Sequence, residues 1–457
     1  MDGYYAWMIV ATALVLMMTV PALALFYGGM TRSKSVLNMM MMSFAAFAVV
    51  GIVFVLWGWS EGWGGNGVGN GNGALIANPL SMFGMHGVSP GNYIYVLFQL
   101  TFAAITAALI SGAIADRVRM SAWIVFVVAW VTLVYFPIAH NIWGGGWWYS
   151  HFPNLDYAGG TVVHINAGVA GGVLALIIGK RVGWPRELMR PHNLTLTMIG
   201  AGLLWFGWYG FNVGSMVFSA STTKAWGGFS AQFQGEMGTT FLNTTVATMC
   251  AMLGWLAVER MLHGKATSLG AASGVVAGLV AITPSCGAVN TLGAIVVGVV
   301  AGMVCAVAVS FKYKIGLDDS LDVVGVHLVG GILGALMIGL VGTTSSPQGV
   351  DGFFPAGTNG LFYGGDLALL GHQAMGVLFT LVWSGGITAV LGLAIKYTIG
   401  WRVTRDDEMS GIDSAEHGET AYDWGGLTGG GHGLGATATV SSPSSAPAAE
   451  SIESVTA

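Results

Sequence analysis

Apolar runs of about eighteen residues or more recur along almost the whole chain, and this feature leaves few folds open. A helix of that length spans a hydrocarbon core roughly 30 Å thick. The surface such runs create cannot be covered by what remains: 8% of the 457 residues are charged and 54% are hydrophobic. A soluble domain carries about 25% charged residues, so a large water-soluble protein with an apolar core is excluded. The 72 glycines fall largely inside the runs, where small residues let neighbouring helices approach closely.

The pattern predicts an all-α polytopic membrane protein with eleven transmembrane helices, at roughly 5–28, 36–59, 91–114, 121–139, 157–179, 194–213, 238–258, 267–284, 288–311, 323–342 and 368–397. Basic residues orient the bundle. Arg32, Lys34, Arg117, Arg119, Lys180, Arg181, Arg260, Lys312 and Arg402 all lie after odd-numbered spans, whereas the loops after even-numbered spans hold Lys224 alone. The N-terminus is therefore expected outside and the C-terminus in the cytoplasm. The first span lacks the basic region that precedes a cleaved secretory signal and is read as retained. Residues 1–400 form the transmembrane domain in this reading, 401–426 an ordered cytoplasmic region, and the Gly, Ser, Ala and Thr-rich stretch 427–457 a disordered tail. Cys250, Cys286 and Cys305 show neither metal spacing nor a disulfide framework and are read as packing residues.

One repeat points at the centre of the bundle. Asp156 precedes His164 by eight residues at the start of the fifth predicted span, and Asp319 precedes His327 by eight at the start of the tenth. Small residues follow both histidines, Asn166-Ala167-Gly168 in one case and Gly330-Gly331 in the other. Five spans separate the two, so the motif enters the membrane from opposite faces. This indicates a five-plus-five inverted repeat followed by an extra C-terminal helix. Eight residues rise about 12 Å along a helix, so in a core of roughly 30 Å the imidazoles differ in height by only about 6 Å. Ionisable groups in membranes commonly mark a transport pathway; the alternative is two unrelated histidines, each satisfied by a backbone carbonyl. The aspartates sit where a carboxylate caps a helix start, and Asp156, facing outward, has cation attraction as a second reading.

Around these motifs the chain resembles the Amt/Mep/Rh ammonium transporter family, in its bacterial Amt form. Asp156-Tyr157-Ala158-Gly159-Gly160-Thr161-Val162-Val163-His164 is similar to the family signature, and Asp322-Val323-Val324-Gly325-Val326-His327 to its counterpart in the second half. Phe26-Tyr27-Gly28-Gly29, Phe98-Gln99-Leu100-Thr101-Phe102-Ala103, Trp143-Gly144-Gly145-Gly146, Gly207 to Ser215, and Gly418-Glu419-Thr420-Ala421-Tyr422 follow in family order. No family match is found for the extension after Gly435.

The resemblance implies a homotrimer in a cell membrane, each subunit with its own pore. It implies an outer site that recruits ammonium between Trp143, Phe102 and Ser215, since ring faces attract cations and a hydroxyl oxygen accepts N–H bonds. Phe102 and Phe211 would form a stacked gate, Phe98 would line the vestibule or pack behind it, and His164 and His327 would span an apolar passage for ammonia. A trimeric PII signalling protein is the implied cytoplasmic partner. No cofactor, metal or nucleic-acid partner is expected. The competing readings are a channel for a neutral gas such as carbon dioxide, an ammonium sensor with little flux, and a membrane enzyme, for which no HExxH, GxSxG or phosphate-cradling loop is present.

Overall fold

The computed structural model describes residues 2–64, 73–187 and 189–422. The predicted tail 427–457 and residues 423–426 of the region before it lie outside the described residues. Among those described, ten helices are long and apolar enough to cross a membrane. They are α1 (Gly3–Met30), α2 (Val36–Trp63), α3 (Pro90–Ile114), α4 (Met120–His151), α5 (Gly160–Ile178), α6 (Leu194–Val213), α7 (Phe229–His263), α9 (Thr291–Ile315), α10 (Val324–Val341) and α11 (Ala368–Tyr397). Between α7 and α9 lies a shorter apolar helix, α8 (Ser268–Ile282). The chain is a multi-pass membrane protein, and its described residues form no β-strand beyond two isolated bridges.

Several predicted boundaries move, among them the end of the fourth helix, expected at 139 and found at His151, and two of the shifts have a clear physical reason. The seventh helix was expected over 238–258 and runs from Phe229 to His263. One face of its polar first turns is buried against protein, with Gln232 and Glu236 almost inaccessible while Ser230 and Gln234 are exposed, so hydropathy alone truncates it. The eighth and ninth predicted helices nearly touch, yet Thr283–Asn290 forms an irregular connection between α8 and α9. Irregular backbone inside a membrane protein is tolerated where protein satisfies it. Here the Asn243 amide donates to the carbonyls of Cys286 and Val289, both at 2.9 Å.

The helices α5 and α10 meet reciprocally at the centre. Both histidines lie in wide π-helical turns, Gly160–Ile165 and Val324–Leu328. Gly168, four residues after His164, packs so tightly on Leu328 that a Cβ there would sit 2.5 Å from the Leu328 nitrogen. Gly331, four residues after His327, packs on Ile165, where an added Cβ would meet Cγ1 at 3.0 Å. Each glycine thus faces the residue that follows the opposite histidine, the arrangement an inverted repeat requires.

At the end of the bundle opposite the α5 start, charged groups tie loops together. Arg181 reaches Asp318 at 2.8 Å and Asp116 at 3.0 Å, all buried. After α11 the chain forms a short helix, Arg405–Ser410. The Asp413 carboxylate then accepts from Leu37 and Asn38 in the first turn of α2, at 3.0 and 2.8 Å. Glu416 accepts from Met120 N, the first residue of α4, at 3.0 Å. These acids cap helix starts from a distance, which satisfies orphan N–H groups and complements the positive end of the helix dipole.

Candidate functional site

Asp156 builds the entrance to the histidine helix. Its Oδ1 accepts from Gly159 N and Gly160 N, and its Oδ2 from Thr161 N and Val162 N, at 2.6–3.1 Å. The carboxylate is buried; burial pushes its pKa up, and the Val162, Thr161 and Gly159 N–H groups and the Thr161 side chain pull it only part of the way back. Asp319 does the same at the other end with two donors, Val323 N and Val324 N. Burial raises Asp319 to about 6, against the pull of Lys312.

Outside α5 lies a vestibule of about 520 Å³, lined among others by Phe98, Phe102, Trp143, Asp156 and Ser215. The Trp143 indole N–H donates to the Asp156 carbonyl at 2.8 Å, which fixes the ring edge beside Phe102. The two rings stand 6.0 Å apart at 78°. Ser215 Oγ donates to the Phe211 carbonyl at 2.8 Å. Its one proton is thus committed, and its lone pairs remain as acceptors. Phe98 is buried against Phe102, with centroids 4.8 Å apart.

The floor of the vestibule is the Phe102–Phe211 pair, stacked at 4.0 Å and 13°. Below it is a chamber of about 10 Å³ lined by Leu23, Ile105, Val163, Phe211 and both histidines. That is about the volume one water-sized molecule needs. His164 Nδ1 and His327 Nδ1 lie 3.3 Å apart. For this contact to be a hydrogen bond one ring must carry its proton on Nδ1 and the other on Nε2. The pair then offers one acceptor and one donor at its two ends. His164 Nε2 is buried without a partner in the protein. Trp208 lies 5.4 Å from the His164 ring at 24°, its own N–H held by Thr283 Oγ1 at 2.8 Å.

The candidate pore residues Trp143, Phe102, Ser215, Phe98, Phe211, Asp156, His164 and His327 lie along the vestibule, the stacked ring pair and the chamber; Asp319 lies beyond them, at the opposite end of α10 from Val341. Sequence reasoning missed Trp208, Tyr157 and Glu236. The Tyr157 hydroxyl donates to Glu236 Oε1 at 2.7 Å on the vestibule wall. The available signal was a Gln232 and Glu236 pair, four residues apart and hence on one helix face, ahead of an apolar run.

Comparison with known proteins decides the family. The model of the Ammonium Transporter Family matches residues 6–422. The chain belongs to that family. It is 51% identical over 455 residues to an ammonium transporter of Mycobacterium tuberculosis, covering 92% of this chain and 90% of the relative. It is 45% identical to one of Aquifex aeolicus, covering 92% and 93%. Among solved structures, Mep2 of Candida albicans superposes with a TM-score of 0.78 at 30% identity, covering 92% of this chain and 90% of that one. A protein described as a sensor Amt protein gives the same TM-score at 26% identity, covering 91% and 98%. This family member is accordingly a transport protein rather than an enzyme.

Proposed function

We propose that this chain conducts ammonium into the cell, taking the cation at the Trp143, Phe102 and Ser215 cage and passing ammonia through the chamber beneath the Phe102–Phe211 gate. The observation that carries the reading is the sequence of environments along one line: an aromatic, acceptor-bearing vestibule, a stacked-ring closure, then an apolar chamber holding two imidazoles 3.3 Å apart. A bare cation is costly in such a chamber. Ammonium avoids that cost by giving up a proton, because an apolar site favours its neutral form, and potassium has no such route. The paired imidazoles offer the proton a separate path.

The assembly proposed is a homotrimer in the cell membrane, with all eleven helices crossing, the N-terminus outside and the C-terminus in the cytoplasm, surrounded by membrane lipid. The distribution of Lys and Arg supports that orientation. A PII-type protein is the proposed partner of the inner face, where the ordered stretch after Trp401 joins the loops.

The test is a rapid ammonium jump on proteoliposomes, read as current and lumenal pH, with a potassium jump as control and His164→Ala and His327→Ala beside wild type. Ammonium current without potassium current, lost or made unselective by either substitution, supports proton passage along the pair. Lumenal alkalinisation without current supports an electroneutral ammonia channel. Folded protein that gives neither overturns conduction and favours a sensor.

A further inference from the structure

Two neighbouring residues at the start of the connection Thr283–Asn290 reach His164 from different sides. Thr283 is fully buried, and its hydroxyl has three polar neighbours. Oγ1 lies 2.7 Å from the Leu279 carbonyl, 2.8 Å from the Trp208 indole nitrogen and 3.3 Å from Asn212 Oδ1. The Trp208 ring held in this way stands 5.4 Å from the His164 ring at 24°. Pro284 follows, packed closely on Gly160, the first residue of the wide turn that carries His164. A Cβ at Gly160 would overlap the proline ring. The Pro284 carbonyl also accepts from Tyr157 N at 3.1 Å, just ahead of that turn.

Counting protons gives Thr283 a single role. A hydroxyl has one proton, and the Leu279 carbonyl is its nearest acceptor. The oxygen therefore meets Trp208 as an acceptor, the one kind of partner an indole N–H can use. Asn212, on the same helix as Trp208, is held in turn by its amide, which donates to Thr244 Oγ1 on α7 at 3.0 Å. A flat ring packed on one face of an imidazole hinders its rotation, and the turn beneath sets where the side chain begins. Among the described residues, the aromatic contact of His327 is with His164 itself. The pair thus takes its orientation from the His164 side.

We infer that Thr283 and Pro284 are positioning residues for the histidine pair. Thr283 fixes the plane of the His164 imidazole through Trp208, and Pro284 fixes the turn that carries it, which keeps Nδ1 within reach of His327. The inference rests on the conducting function proposed above and names what holds its two imidazoles in register. Neither residue is among those that line the vestibule or the chamber. Loss of the hold therefore acts on passage through the chamber. It lowers the maximal rate and leaves the concentration for half-maximal transport alone.

The experiment uses the full chain with Thr283→Val, which replaces the hydroxyl by a methyl group, Thr283→Ser, which keeps it, and Pro284→Ala. Ammonium transport in proteoliposomes is measured against concentration, per amount of protein shown to be folded by size exclusion. Thr283→Val and Pro284→Ala are each expected to lower the maximal rate by roughly three- to tenfold with half-saturation within about twofold. Thr283→Ser is expected to restore the rate to within about twofold of wild type. An electron cryo-microscopy map of Thr283→Val supplies a readout independent of transport. In it the Trp208 and His164 rings are expected to have turned, with the two Nδ1 atoms beyond hydrogen-bond distance. A wild-type maximal rate in Thr283→Val, a serine variant as slow as the valine one, or a change in half-saturation alone overturns the role of Thr283. A wild-type rate in Pro284→Ala overturns that of Pro284. Rings unmoved in the map overturn the positioning account even where flux falls. Wild type that carries no ammonium sinks conduction, and the map still decides the positioning. If Thr283→Val fails to fold, Trp208→Phe, which keeps a ring and lacks the N–H, takes its place in both measurements with the same expected outcomes.

Discussion

The Trp143 indole N–H donates to the backbone carbonyl of Asp156 at 2.8 Å, while the Asp156 carboxylate holds four N–H groups at the start of α5. One residue thus positions both the aromatic wall of the vestibule and the turn that carries His164. A disturbance at Asp156 reaches the cage and the histidine together.

Asp156→Ala leaves those four donors buried and unmatched. Hydrogen bonds to charged groups are worth about 1.5–3 kcal/mol each, so a loss of at least about 3 kcal/mol is expected. It should appear as a lower melting temperature as well as lost transport. Asp156→Asn keeps one acceptor oxygen and is expected to fall between the two. An alanine variant that melts like wild type would refute the capping account.

The glycines between α5 and α10 should rank by the space they lack. Gly168→Ala drives a methyl to within 2.5 Å of the Leu328 backbone, whereas at Gly331 its nearest neighbours, Ile165 Cγ1, Gly160 O and Ile165 N, stand at 3.0–3.1 Å. Overpacking costs about 1–3 kcal/mol. Gly168→Ala should therefore separate the histidines and abolish flux, Gly331→Ala should reduce it, and Gly386→Ala, which meets nothing within 4 Å, should do neither. Ammonium flux in liposomes checks the order.

The buried Arg181 sits between two carboxylates. Burial alone pushes the Asp318 carboxyl up, and Arg181 more than reverses this, holding it below the usual range. A depressed carboxyl stabilises the fold above its unfolded pKa of about 4 and loses that contribution as pH falls through the lower, folded value. Arg181→Met strands the acids at a cost of about 3–5 kcal/mol and should remove this acid-dependent increment. Arg181→Lys, lacking the planar fork, should rescue only part. Melting curves from pH 7 down to pH 3 test the sign.

Burial raises Asp351 to about 6, with the Trp226 N–H pulling against it. Below that value it is protonated, and the vestibule it shares with Glu236 and Asp156 becomes less negative. Half-saturating ammonium is expected to rise several-fold between pH 7 and pH 5. In Asp351→Asn the dependence should flatten. A slope that survives this substitution would assign the effect to another group.

Much of the bundle was readable because spans announce themselves by composition, and the matched offsets of Asp156–His164 and Asp319–His327 brought two distant histidines into one region. Helix ends were less readable. At Phe229–Met237 the helix continues through polar residues because its Gln232 and Glu236 face is covered by protein while Ser230 and Gln234 face outward, and hydropathy does not distinguish the two faces. The connection after Ile282 was readable as a short break at 285–287, but its full extent, Thr283–Asn290, was not, because the Asn243 amide that holds its carbonyls comes from a distant helix. The Glu236 wall was readable only as far as the Gln232–Glu236 spacing, because Tyr157 and Asp351, which complete it, lie far away in the chain and no periodicity links them to it.

The wide turns that carry His164 and His327 have a consequence for transplanting this motif. Each residue of a regular helix advances the direction of its side chain by about 100°. A turn holding one residue more than the regular winding therefore shifts the phase of everything beyond it. Deleting a residue inside Gly160–Ile165 would be less a shortening than a rotation, turning either the imidazole or the Gly168 contact away from its partner. The portable unit is the wound interval from aspartate to glycine. A histidine grafted alone onto a straight helix would keep its height and lose its heading.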